Sequence, residues 1–119
     1  LFALGLLLSL VASGGLQAQF WNKSKAKQQA QEYYRQARQR FDFKQYDEAR
    51  SLAVKSLRKY EEQVGPYLLI GKTWRRQSQP QKARATYQEC LNTNDAYWQC
   101  RWELARTLHQ NGEYQKAKE

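Results

Sequence analysis

The stretch YLLIGKTWRRQSQPQKARATYQECL, Tyr67 to Leu91, decides how the chain folds. Tyr67, Ile70, Gly71 and Trp74 return at intervals of three and four, the spacing of one helix face. Ser78-Gln79-Pro80 breaks that series, and proline suits the first turn of a new helix because its missing N–H is not needed there. A second helical series, Ala83, Tyr87, Cys90 and Leu91, follows at once. These residues predict two helices joined by a tight turn.

The pattern recurs on both sides at an offset of 34 residues, which links Ala37, Gly71 and Ala105, then Ala49, Ala83 and Ala117, Ser56 with Cys90, and Leu57 with Leu91. A fixed period of this length predicts helix pairs stacked one on the next. The small residues meet a steric demand: helix axes 8–10 Å apart leave no room for a large side chain at the crossing. Tyr33, Phe41, Tyr46, Leu52 and Leu57 are expected to fill the space around the first crossing, Tyr67, Ile70, Trp74, Tyr87 and Leu91 the second, and Leu104, Leu108 and Tyr114 the third. Gly65-Pro66, Asn92 to Asp95 and Asn111-Gly112 supply further turns, with Asn94 or Asp95 placed to cap the helix that follows. No stretch alternates as a strand would, so the fold class expected is all-α.

These residues resemble the tetratricopeptide repeat family, over roughly Ala30 to Glu119. The second unit is the clearest, with Tyr67, Ile70, Gly71, Trp74, Ala83, Tyr87 and Cys90 at aromatic, aliphatic and small positions of the family pattern. The resemblance implies a right-handed superhelical solenoid of antiparallel helix pairs, in units of about 30–63, 64–97 and 98–119, the last incomplete. Two departures stand out. Glu61 and Asp95 replace the proline often found between repeats, and Ala53 replaces a large residue, which implies looser packing in the first unit.

Residues 1–18 differ in kind. Leu1 to Ala12 is nearly unbroken apolar sequence, and Ser13-Gly14-Gly15 and Leu16-Gln17-Ala18 follow, an arrangement like the core and cleavage region of a secretory signal peptide. The run is shorter than the ~20 residues a bilayer requires. Cleavage is expected after Ala18, with a retained membrane anchor as the competing reading, and residues 19–29 form a basic lead-in. The sequence opens without Met and stops early in what should be the last helix, so the natural protein is expected to extend at both ends. The expected location is outside the cytoplasm, periplasmic or extracellular.

Twenty Lys and Arg against 11 Asp and Glu give a formal charge of +9, which favours anionic partners. Export argues against nucleic acid and for acidic peptides, headgroups or envelope polymers, with membrane contact confined to the amino-terminal segment. In the resembling family the first helix of each pair lines a concave groove. By register that groove should present Gln31, Tyr34 and Arg38, then Leu68, Lys72 and Arg75, then Gln99, Trp102, Arg106 and His109. Tyr34 and Trp102 would cover apolar side chains of a bound peptide, and Arg38, Lys72, Arg75 and Arg106 would pair with its carboxylates. The Asn residues of the family's carboxylate clamp are missing, so that mode is not implied.

Cys90 and Cys100 flank the turn around Asn94 at similar distances, which permits a disulfide, and an oxidising compartment favours one; the competing reading makes Cys90 only the small residue at a crossing, as Ser56 is in the unit before. Catalysis finds no support. His109 is the only histidine, no Gly-rich phosphate loop lies beyond Gly14-Gly15, and Asp47-Glu48 and Glu61-Glu62 fall at helix starts and turns. Neither a metal site nor a cofactor is expected. The function expected is therefore an exported, non-enzymatic scaffold that takes a peptide or protein in a basic, aromatic groove. Two alternatives are a binder of an anionic envelope polymer or lipid surface, and the repeat region of a larger enzyme.

Overall fold

The computed structural model describes residues 2–110, with side chains from Gly15 onward; the expectations at Asn111, Gly112, Tyr114 and Ala117 lie outside the described residues. Five helices follow in order: α1 (Phe2–Asp42), α2 (Tyr46–Lys59), α3 (Gly65–Arg76), α4 (Pro80–Thr93) and α5 (Trp98–Gln110). No strand occurs among the described residues, and the fold is all-α.

Helix ends are set by local chemistry. Asp47 and Glu48 open α2 while Arg58 and Lys59 close it, charges that oppose the helix dipole at each end. Pro66 and Pro80 occupy the first turns of α3 and α4. Between the helices of each pair one residue takes a left-handed backbone, Lys44 at φ 60° and Ser78 at φ 59°, and these two stand 34 residues apart. The hydrogen bonds around them repeat as well: Lys44 N–H donates to the Phe41 carbonyl and Ser78 N–H to Arg75, Gln45 N–H to Arg40 and Gln79 N–H to Trp74. At the far ends of α2 and α4, Tyr60 N–H donates to Ser56 and Asn94 N–H to Cys90. The period read in the side chains is thus also a period of the backbone.

Two helix starts differ from expectation. The first helix does not begin near Ala30, because α1 runs unbroken from Phe2 through the basic lead-in. Residues 16–31 hold no Gly or Pro and are rich in Gln, Ala and Lys, all compatible with helix, so nothing local stops it. At the other end, α5 starts at Trp98, and Asn94 does not cap it; its Oδ1 accepts the Ala96 N–H at 3.1 Å and closes the preceding turn.

Each helix packs on the next, and α1, α3 and α5 also touch in succession, whereas α2 and α4 do not meet among the described residues. Ala30, Ala37, Ala49, Ala53 and Ala83 are fully buried at these crossings. Ala105 is exposed instead; the segment that the repeat would lay across it, around Ala117, lies outside the described residues. Two apolar clusters form the core. Ala37, Ala53, Leu69 and Ile70 make one, Leu68, Ala83, Tyr87, Cys90 and Cys100 the other, and Trp74 packs against both.

The two units solve one packing problem in opposite ways. A β-carbon added at Gly71 would fall against Cε1 of the fully buried Tyr87 ring, so a large residue on α4 demands none on α3. In the first unit the matching positions are Ala37 and Ala53, both fully buried, where a smaller residue on α2 admits a β-carbon on α1. Polar contacts then join α2 to α3. Arg50 Nη1 donates to Thr73 Oγ1 at 3.1 Å and Gln77 Oε1 at 2.7 Å, its Nη2 pairs with Asp47 Oδ1 at 2.7 Å, and its guanidinium lies 3.4 Å from the Trp74 ring centre. Lys82 Nζ, from α4, lies 4.5 Å from the same centre.

Candidate functional site

The row of first helices, α1, α3 and α5, carries the candidate site. Between α1 and α3 lies a recess of about 400 Å³ lined in part by Tyr34, Arg38, Leu68 and Lys72, four of the residues that the register places in a groove. Tyr34 is half-buried because its ring presses on the start of α3: a β-carbon at Gly65 would come within 2.9 Å of the phenol. Arg38, one turn on, stacks its guanidinium 5.0 Å from the centre of that ring. Burial raises the Tyr34 phenol above its ordinary range, with Arg38 acting against that rise. The phenol therefore stays protonated at neutral pH, and the wall it forms is uncharged.

The cations of this recess are not equivalent. Arg35, also on its wall, holds Glu32 through two hydrogen bonds of 2.7 and 3.0 Å. With the Gln36 amide donating as well, that carboxyl falls to about 2. Arg35 is thus committed to its own helix. Arg38 and Lys72 have no carboxylate partner among the described residues, so no fixed anion there offsets their charge. Leu68 and Leu69 form the floor, and Phe41, braced edge-on by Tyr46 at 5.4 Å between ring centres, forms one end.

Trp102, Arg106 and His109 lie elsewhere, around a mostly apolar recess of about 560 Å³ on α5 that Ala105 completes. Trp102 is 63% exposed. Arg75, which the register places with Leu68 and Lys72, lines neither of these recesses. It turns toward α5, where Nε stands 3.5 Å from Glu103 Oε2 with both side chains largely buried. The Tyr87 hydroxyl, Arg75 Nε and Glu103 Oε2 are all buried there without a hydrogen bond among the described residues. Burial first, and the Glu103 carboxylate second, push the Tyr87 phenol up to about 12. Gln31 is exposed and Gln99 half-buried, and neither lines these recesses.

Cys90 and Cys100 are joined, with α-carbons 6.3 Å apart, and the bridge ties α4 to α5 inside the second cluster. Cys90 is also a small buried residue at a crossing, where Ser56 Oγ in the preceding unit donates to the Ala30 carbonyl at 2.7 Å.

Sequence reasoning did not single out Arg35, Gln39, Asp42 or Leu69 for the recess. The signal was present, since residues 35, 38, 39 and 42 share one helix face and Arg38 stands one turn on from Tyr34. No family model matches this chain, and no curated protein matches it significantly.

Proposed function

We propose that this chain is an exported scaffold of tetratricopeptide type that binds an acidic peptide or protein segment along α1, α3 and α5. One observation carries the reading: Tyr34, Leu68 and Trp102 share a repeat position, and Arg38, Lys72 and Arg106 share another four residues on. Each first helix therefore offers an apolar side chain and a cation on adjacent turns of one face. A partner with carboxylates beside apolar side chains meets both demands, and burial of its apolar groups adds to the charge pairing. Contacts along the first-helix row, without contacts between α2 and α4 among the described residues, support a curvature that places this row on the inside. The apolar amino-terminal segment and the Cys90–Cys100 bridge support export to an oxidising compartment.

The test compares capture of partners from envelope extract by the wild-type chain, by Tyr34→Ala and by Arg38→Glu/Lys72→Glu. Peptide recognition predicts that either variant loses the partner and that wild-type capture survives moderate salt. Capture that Tyr34→Ala leaves intact and that salt abolishes steeply would instead identify an anionic polymer as the ligand. Arg75 is left out of this test because Glu103 already engages it.

A further inference from the structure

Outside the groove, the least explained surface is the start of α1. The helix stands clear of the stack until Ala26, and residues 15–25 are all exposed. Among them Leu16, Phe20 and Trp21 are 57%, 73% and 71% exposed, a concentration of apolar surface on one projecting rod. Lys23, Lys25 and Lys27 follow within two turns, and no acidic residue precedes Glu32.

The order along the axis is informative. Apolar sequence comes first, then an aromatic pair, then three cations, all on one unbroken helix. A bilayer is layered in the same order, as hydrocarbon, an interface that Trp and other aromatic side chains prefer, and headgroups whose negative charge attracts lysine. A protein groove would instead ask for apolar residues on one side of the helix and polar ones on the other. Here the segregation runs lengthwise.

We infer that the first half of α1 is retained and seats lengthwise in an anionic lipid bilayer, with Phe20 and Trp21 at the interface and Lys23, Lys25 and Lys27 on the headgroups. This reading takes up the retained anchor in place of cleavage after Ala18, and α1 runs unbroken through that position. No helix among the described residues is long and apolar enough to cross a membrane, and the inference concerns how residues 16–27 meet one surface of the bilayer. From Trp21 to Lys27 the helix rises about 9 Å, comparable with the depth of a headgroup layer. The rest of α1 then carries the repeat units away from the surface.

Flotation of the full chain with vesicles tests this, using phosphatidylcholine alone and phosphatidylcholine mixed with phosphatidylglycerol. The chain should float with the mixed vesicles, and lipid brominated on its acyl chains should quench a fluorescence that Trp21→Phe removes. Lys23→Glu/Lys25→Glu/Lys27→Glu should weaken binding to the mixed vesicles on the order of 100-fold, at about five-fold per lost lysine. Phe20→Ser/Trp21→Ser should weaken binding to both. Arg38→Glu/Lys72→Glu should leave flotation unchanged, which separates this site from the groove. Absence of flotation, flotation indifferent to Phe20→Ser/Trp21→Ser, or recovery from cells of a chain beginning at Gln19 would overturn the inference.

Discussion

Replacing Gly71 by Ala sets two effects of known sign against each other. Alanine in a helix interior is favoured over glycine by about 1 kcal/mol, so at an open position the change would stabilise α3. Position 71 is closed. The new β-carbon would meet Tyr87 Cε1 and stand 2.7 Å from two further ring atoms, where ordinary carbon contacts lie near 3.5–4.0 Å. The ring must retreat by about 1 Å, yet it is fully buried and packed among Leu68, Ala83 and Cys90. Overpacking of this kind costs typically 1–3 kcal/mol, which exceeds the gain in propensity. Gly71→Ala should therefore destabilise the chain by up to about 2 kcal/mol net. In a Tyr87→Ala background, where the pair reproduces Ala37 and Ala53 of the first unit, the same change should stabilise by up to about 1 kcal/mol. The assay is a double-mutant cycle of urea midpoints at constant slope, and the expected coupling is the overpacking cost itself, about 1–3 kcal/mol. Equal effects of Gly71→Ala in the two backgrounds would refute the claim that these residues are chosen as a pair.

The remaining predictions follow from individual contacts. Reducing the Cys90–Cys100 bridge, or changing both residues to Ser, should cost about 2.5–3 kcal/mol for a loop of this length, and hydrogen exchange should show the loss concentrated in α5. Ser78→Gly should stabilise by a few tenths to about 1 kcal/mol in urea unfolding, because the left-handed backbone at φ 59° penalises a β-carbon more than glycine's added freedom in the unfolded chain. Tyr87→Phe should be neutral or stabilising near neutral pH, since it deletes a buried hydroxyl that has no hydrogen bond among the described residues. The same substitution should flatten the alkaline limb of stability. Burial holds the Tyr87 phenol at about 12 against an ordinary value of 10.0, so its contribution is complete below pH 10 and is lost as pH rises through 12, at about 1.4 kcal/mol per unit. Urea midpoints across that range, wild type against Tyr87→Phe, measure the difference.

The helices of this chain are legible because its period is carried by side chains that can occupy only one kind of place. Ala37, Ala49 and Ala83 are small where two helices cross, and Pro80 stands where a helix must start. Ala53 shows the limit of such reading. Taken alone it implies loose packing, and only the atom positions reveal that its small size is matched by the β-carbon of Ala37. Register in α1 and at the start of α3 grouped Tyr34, Arg38, Leu68 and Lys72, and these four line one recess. Arg75 does not join them, because one face of α3 must serve both the recess and α5, and the outcome depends on Glu103, 28 residues away. The continuous α1 was missed for another reason: its Gln- and Lys-rich segment carries no apolar stripe, and helix propensity extended it without help from packing.

The way α5 is held explains why the bridge belongs where it does. α3 buries Pro66, Leu69 and Thr73 against the pair before it, and the repeat equivalents in α5 are Cys100, Glu103 and Thr107, buried in turn. Replacing a buried leucine by glutamate forgoes about 1.5–3 kcal/mol of apolar burial and adds the desolvation of a carboxylate. The partner, Arg75, sits 3.5 Å away without a hydrogen bond to Glu103, so the ion pair only partly offsets that loss. The disulfide at Cys100 contributes about what the leucine would have supplied. A covalent tie thus stands in for apolar adhesion at this joint, and α5 keeps its place without burying Trp98 and Trp102, both more than 60% exposed.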